Sequence, residues 1–203
     1  MMKGLLRKDL YMLWHYCKSF LLMIGLFSVM SLADTTNSFY TVYPVMLGSV
    51  LPVTLISYEE RCGWSSYCQS LPVSRTLVVV EKYVFSLLCS FAMLSLVAAV
   101  QFIVFSRETS FLWDRYRNMM SSLFAFALIG PSIILPLIFK LGTEKGRIAY
   151  YFVIGTACAI AFAFNERQFP VIPLPAFLIP VLTLSLFSGS CWLSVRFYQK
   201  REL

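Results

Sequence analysis

The sequence predicts an all-α integral membrane protein: one bundle of six transmembrane helices preceded by an amphipathic helix. Three observations carry that expectation. Hydrophobic residues make up 59% of the chain and charged ones only 13%, with a mean hydropathy of +0.73, whereas soluble domains run near about 45–50% apolar and about 25% charged. The charges gather at the ends of uncharged runs instead of being spread along the chain. There are six such runs, most of them close to the roughly 20 residues that cross a hydrocarbon core of about 30 Å. The 203 residues fit a single membrane domain spanning 1–203, and nothing in the composition marks a separate water-soluble unit.

The first element covers about residues 3–18. Leu6, Leu10, Leu13 and Cys17 recur at three- and four-residue intervals beside Trp14, with Lys8, Tyr11, His15 and Lys18 on the opposite side. That is the pattern of a basic helix lying in the membrane surface; a ragged start to the first span is the alternative. Lys3, Arg7 and Trp14 are its candidate interfacial residues. Without a small-residue cleavage site after a short apolar core, a removed signal peptide is not expected.

The uncharged runs then follow at 19–33, 35–58, 83–106, 118–139, 148–165 and 168–195. The first is short unless Tyr16 and Cys17 join it while Lys18 snorkels. Pro44 and Pro52 fall in the second, Pro131 and Pro136 in the fourth and Pro180 in the sixth, each removing a backbone donor and favouring a kink. Proline is also commoner in membrane helices generally. With the N-terminus inside, thirteen of the seventeen Lys and Arg residues fall in inner segments, leaving Arg107, Arg115, Arg117 and Arg167 outside. This bias places both termini of a multi-pass membrane protein in the cytoplasm. The net charge of +7 is spent at membrane edges, which suits anionic lipid and not nucleic acid.

Few chemistries are available. No Asp, Glu, Lys or Arg interrupts the middle of a run, so the intramembrane relays of pumps and secondary transporters are not expected. Gln101 is the one amide inside, suited to a structural hydrogen bond. The single histidine, His15, excludes a Ser-His-Asp set and an H-E-x-x-H site. Cys62 and Cys68 lack a second pair for zinc, and Cys89, Cys158 and Cys191 read as small buried hydrophobes. Gly142 to Arg147 lacks the spacing of a phosphate-binding loop and reads as a turn. Glu108 and Asp114 lie among arginines in a solvated outer segment, 106–120, which with Trp113 and Tyr116 is a candidate lid. No catalytic residue, metal ligand or cofactor-binding residue is expected in this chain.

The one long polar interruption is Ser57–Tyr83, SYEERCGWSSYCQSLPVSRTLVVVEKY. A helix from about Glu59 to Ser70 would set Trp64, Tyr67, Cys68 and Leu71 on neighbouring turns. Glu59 and Glu60 would sit near its positive end, Pro72 would stop it, and Ser74 would cap the helix that follows. Aromatic side chains so grouped suit a docking surface.

This stretch resembles the loop between the second and third spans of small type 2 ABC transporter permeases. The residues that carry the likeness are Tyr58-Glu59-Glu60-Arg61, Trp64, Tyr67, Ser70-Leu71-Pro72-Val73-Ser74-Arg75, Val78-Val79-Val80 and Glu81-Lys82-Tyr83. Lys3 to Leu10 is similar to the elbow helix of that family, and the nearest likeness is to short permeases that export peptides, such as the phenol-soluble modulin exporters and related immunity systems. The resemblance implies two permease copies, identical or homologous, each inserting this loop as a coupling helix into a separately encoded nucleotide-binding subunit that holds ATP and Mg. It implies Glu59, Glu60, Trp64, Tyr67, Leu71 and Arg75 as docking residues. Larger relatives carry re-entrant helices before the last span, for which Asn165 to Ala176 leaves little room. Two function classes follow: a permease exporting an amphipathic or hydrophobic cargo, or a non-transporting membrane sensor or immunity protein docking a cytosolic partner through the same loop.

Overall fold

The computed structural model describes residues 2–33, 39–64, 67–68, 74–106, 113–165 and 178–200, without the side chains of 154, 157–165 and 200. The elements are helices: α1 Met2–Tyr16, α2 Lys18–Ala33, α3 Phe39–Arg61, α4 Arg75–Ser106, α5 Trp113–Leu141, α6 Thr143–Asn165 and α7 Leu178–Lys200. Among the described residues there is no strand.

Each of the six uncharged runs lies largely within a helix, and most of the helices overrun their runs at the charged ends. Four of them, α3, α4, α5 and α7, are long and apolar enough to cross a membrane, and α1 with α2, bent by 73°, makes a fifth crossing if the pair is counted together. α3 and α5 run on through their internal prolines, and Pro180 falls in the first turn of α7, where a missing N–H leaves no helical bond unmade. The residues between 141 and 147 form a much tighter connection than a loop. Gly142, with φ of 87°, takes the left-handed conformation that only glycine adopts freely, and α6 starts at the next residue. Trp113 and Tyr116 likewise belong to α5, the Tyr116 hydroxyl donating to Ala98 O at 3.1 Å. The candidate lid is thereby reduced to residues 107–112, which lie outside the described residues.

α4 is the spine. Among the described residues it packs against every helix except α6. Val79 and Tyr83 of α4 join Val53, Leu135, Ile138 and Phe187 in a core shared with α3, α5 and α7. On its other side Phe85 and Cys89 meet Leu51, Leu55, Ile24 and Cys17 of α3, α2 and the α1–α2 bend. Leu22, Leu26 and Val29 of α2 and Val181, Leu182 and Leu186 of α7 stay exposed, as expected of faces turned to lipid.

Two neutral polar knots hold the apolar helices in register. Gln101 Nε2 donates to Thr41 Oγ1 at 2.6 Å and Ser31 Oγ at 3.0 Å, joining α4, α3 and α2. This is the structural hydrogen bonding expected of the one interior amide. Tyr83 OH lies 2.7 Å from Ser190 Oγ and 2.6 Å from Ser194 Oγ, and Ser190 Oγ donates to Ser132 O at 2.6 Å, joining α4, α7 and α5. Side-chain hydrogen bonds between membrane helices contribute about 0.6 kcal/mol on average and up to about 1.7. Tyr83→Phe is therefore expected to lower unfolding free energy by about 1 kcal/mol in mixed micelles, and Ser185→Ala, whose hydroxyl bonds only within its own helix, to leave it within about 0.5 kcal/mol.

Candidate functional site

The site lies where α3 ends and α4 begins. Tyr58, Glu59, Glu60 and Arg61 form the last turn of α3, and Gly63, with φ of 68°, stops the helix while its N–H bonds back to Glu60 O at 3.2 Å. Glu59 and Glu60 therefore sit at the negative end of a long helix, not at the start of a short one, and the following turn begins only after Gly63. In that turn Tyr67 N donates to Gly63 O at 3.3 Å, and the rings of Trp64 and Tyr67 lie 5.5 Å apart. Tyr67 is exposed, Trp64 is half-buried and Cys68 is buried. Burial pushes the Cys68 thiol above its ordinary value, so it stays protonated and inert. Leu71 and Pro72 lie outside the described residues. Ser74 precedes α4, its carbonyl accepting from Leu77 N at 3.0 Å and Val78 N at 3.3 Å.

Behind the aromatics is a buried ionic network. Lys82 Nζ of α4 lies 2.6 Å from Asp9 Oδ2 of α1, 2.8 Å from Glu59 Oε1 of α3 and 3.6 Å from Glu81 Oε2. Lys8 Nζ pairs with Glu59 Oε1, lies 3.2 Å from Asp9 Oδ1, and stands 4.2 Å over the Trp64 ring. Asp9 is fully buried, and Glu81, Lys82 and Glu59 are nearly so. Glu59 thus points into the protein instead of toward a partner. Lys8 also departs from the solvated face expected of α1: the stripe turned to the bundle is the buried Asp9 and Cys17 with the half-buried Leu6 and Leu13, while Leu10 and Trp14 are exposed. The reason is electrostatic. A carboxylate on an apolar face must bring a cation with it, and the pairing draws Lys8 round the helix toward α3.

The remaining candidate residues divide between tie points and surface. Glu60 Oε2 accepts from Thr143 N at 3.0 Å and from Thr143 Oγ1, so it caps α6 and holds that helix start against the end of α3. Arg75 Nη1 reaches Gln199 O at 3.4 Å near the carboxyl end of α7. Lys3, Arg7 and Trp14 are exposed on α1. Between the turn and the bundle is a cavity of about 280 Å³ whose walls include Glu59, Trp64, Lys82, Phe139 and Tyr198.

The model of the ABC-2 family transporter proteins matches residues 4–199. The chain belongs to the ABC-2 transporter family. Comparison with curated proteins gives no match. As a member of an ABC-2 permease family with several apolar helices, the chain is a multi-pass membrane permease component of an ABC transporter, a class that normally works with an ATP-binding subunit and is generally not itself catalytic.

Sequence reasoning on this ABC-2 chain found the turn but missed Asp9, Lys8, Glu81 and Lys82 as one unit. A signal for Asp9 was present. It is the only acidic residue before position 34 and stands three residues after Leu6 and four before Leu13, on the apolar stripe. Removing one partner of a buried ion pair costs about 3–5 kcal/mol because the other charge is left unpaired. Lys82→Met, which removes the buried cation shared by Asp9, Glu59 and Glu81 and leaves only the half-exposed Lys8 near them, is expected to destabilise the ABC-2 chain by that amount, read from unfolding in mixed micelles. Arg117→Ala, which breaks an exposed pair with Asp114, is expected to change stability little.

Proposed function

We propose that this chain is the membrane subunit of an ABC exporter that moves an amphipathic or hydrophobic cargo, a peptide foremost, across the bacterial cytoplasmic membrane by alternating access. Energy comes from a separate ATPase subunit that carries the ATP and Mg. The observation that carries this reading is the family match over nearly the whole chain. In the proposed arrangement α6 is the sixth span beside α3, α4, α5, α7 and the bent α1–α2 pair. Both termini are cytoplasmic, two permease copies form the pathway, and α1 is an elbow that rests Lys3, Arg7 and Trp14 in the lipid headgroups.

The turn after α3 is the coupling element. Tyr67 and Trp64, with Leu71 and Arg75, dock on the ATPase subunit, and Glu59 and Glu60 serve from behind by holding the turn to α1, α4 and α6. A push on Trp64 reaches Lys8 on its ring face, then Glu59 and Lys82, and so the first turns of α4 and the elbow together. The charge-free middles of the spans suit a cargo that is itself apolar on one side.

Trp64→Ala with Tyr67→Ala is expected to abolish co-purification with the ATPase subunit while membrane insertion is retained. Truncating aromatic anchors at an interface commonly costs 2 kcal/mol or more, roughly thirtyfold in affinity. Undiminished co-purification would remove the docking role. Cargo-stimulated ATP hydrolysis by the reconstituted pair separates an exporter from a non-transporting sensor.

A further inference from the structure

The buried network holds more carboxylates than cations. Asp9, Glu59 and Glu81 face Lys8 and Lys82; the thiols of Cys68 in the turn, Cys89 of α4 and Cys17 at the α1–α2 bend lie around them, and Glu60, bound by Thr143, and Tyr198 share the cavity that Glu59 and Lys82 line. Thiols in such a setting stay neutral. Fully ionised, the network would carry one uncompensated negative charge in a volume that excludes most water, an arrangement that proteins resolve by taking up a proton.

Two further observations say where the proton sits. The carboxyls of Asp9 and Glu81 close on the same ammonium, Lys82 Nζ lying 2.6 Å from Asp9 Oδ2 and 3.6 Å from Glu81 Oε2, and two carboxyls side by side bond only if one of them carries a hydrogen. Asp9 Oδ1 and Glu81 Oε1 are also the two buried carboxyl oxygens among the described residues that accept from no donor. Asp9 Oδ1 is near Lys8 Nζ but without hydrogen-bond alignment. A hydrogen held between the two carboxyls supplies the missing donor.

We propose that Asp9 and Glu81 form a proton-binding site in which one exchangeable proton is shared between the elbow helix and α4. With the proton bound, three carboxylates less one balance two ammonium groups, and α1 is seated. Loss of the proton to water as hydronium leaves two ionised carboxylates in contact and one net negative charge, and their repulsion loosens α1 from α4. The cavity behind Trp64 borders the network at Glu59 and Lys82, and Asp9 and Glu81 are buried behind them. The turn meets the same network through Lys8, which stands over the Trp64 ring and pairs with Glu59, so motion of the turn bears on the seat of the elbow. The two carboxyls titrate as a pair and not as separate residues.

The test is independent of cargo and of the ATPase. Infrared difference spectroscopy on the full chain in lipid nanodiscs reads the C=O stretch of protonated carboxyls across a pH titration. Solvated Asp and Glu are ionised above about pH 5, so the expected result is one protonated-carboxyl band persisting at neutral pH and lost in a single-proton step at more alkaline pH. Glu81→Gln and Asp9→Asn are each expected to remove that band, and Glu144→Gln, at the exposed start of α6, to retain it. Wild-type protein with no protonated carboxyl at neutral pH overturns the proposal without any variant. Retention of the band in both Glu81→Gln and Asp9→Asn does so as well.

Discussion

The ammonium of Lys82 is the point on which this end of the molecule depends. It is the only buried cation among the described residues, and it balances carboxylates carried by α1, α3 and α4 itself. α1 reaches α4 through Asp9, α3 reaches it through Glu59, and Lys8 closes the circuit between α1 and α3. Such a cluster is a poor source of net stability, because the desolvation of each charge offsets most of the attraction. Its effect is on register. An apolar helix can slide along another with little change in buried area, whereas a carboxylate paired in a nonpolar setting fixes the height of its helix.

Seen from α4, the bundle is held at three levels. The ionic network sits near its start, the Tyr83 knot with Ser190 and Ser194 lies immediately above, and Gln101 with Thr41 and Ser31 lies near its far end. The first is charged and joins the elbow, while the other two are neutral and join spans. That ordering places the strongest and most conditional interactions beside the turn that carries Trp64 and Tyr67. In the proposed exporter a force applied to the turn meets the network before it meets the apolar core, so the elbow and the base of α4 move together.

Much of this was legible in the sequence, for reasons that differ element by element. Uncharged runs gave the helices because a segment without charges in the bilayer has to satisfy its backbone internally. The break after α3 and the renewed helix at Arg75 followed from local chemistry, with Ser74 in front of α4. The ends were misjudged where charged residues continue a helix, as at Glu59, Glu60 and Arg61 and again at Glu144, Lys145 and Arg147. The true stop after α3 is Gly63, whose left-handed conformation a pattern of apolar residues does not encode. The ionic network was least legible, since Lys82 and Asp9 are 73 residues apart. Helical periodicity says which face a residue occupies but not what meets that face, and a polar residue at the edge of a run reads as solvated until its partner is placed.

In the proposed transporter the turn and the elbow are coupled through Lys82. A double-mutant cycle on ATP hydrolysis by the reconstituted transporter measures it most directly, using Asp9→Asn, Lys82→Met and the pair together in folded protein. If the residues act as one linkage, the double variant loses no more coupled hydrolysis than Lys82→Met alone, giving a strongly non-additive cycle. Losses that simply add would rule out a linkage through Lys82 and assign each residue a separate structural role.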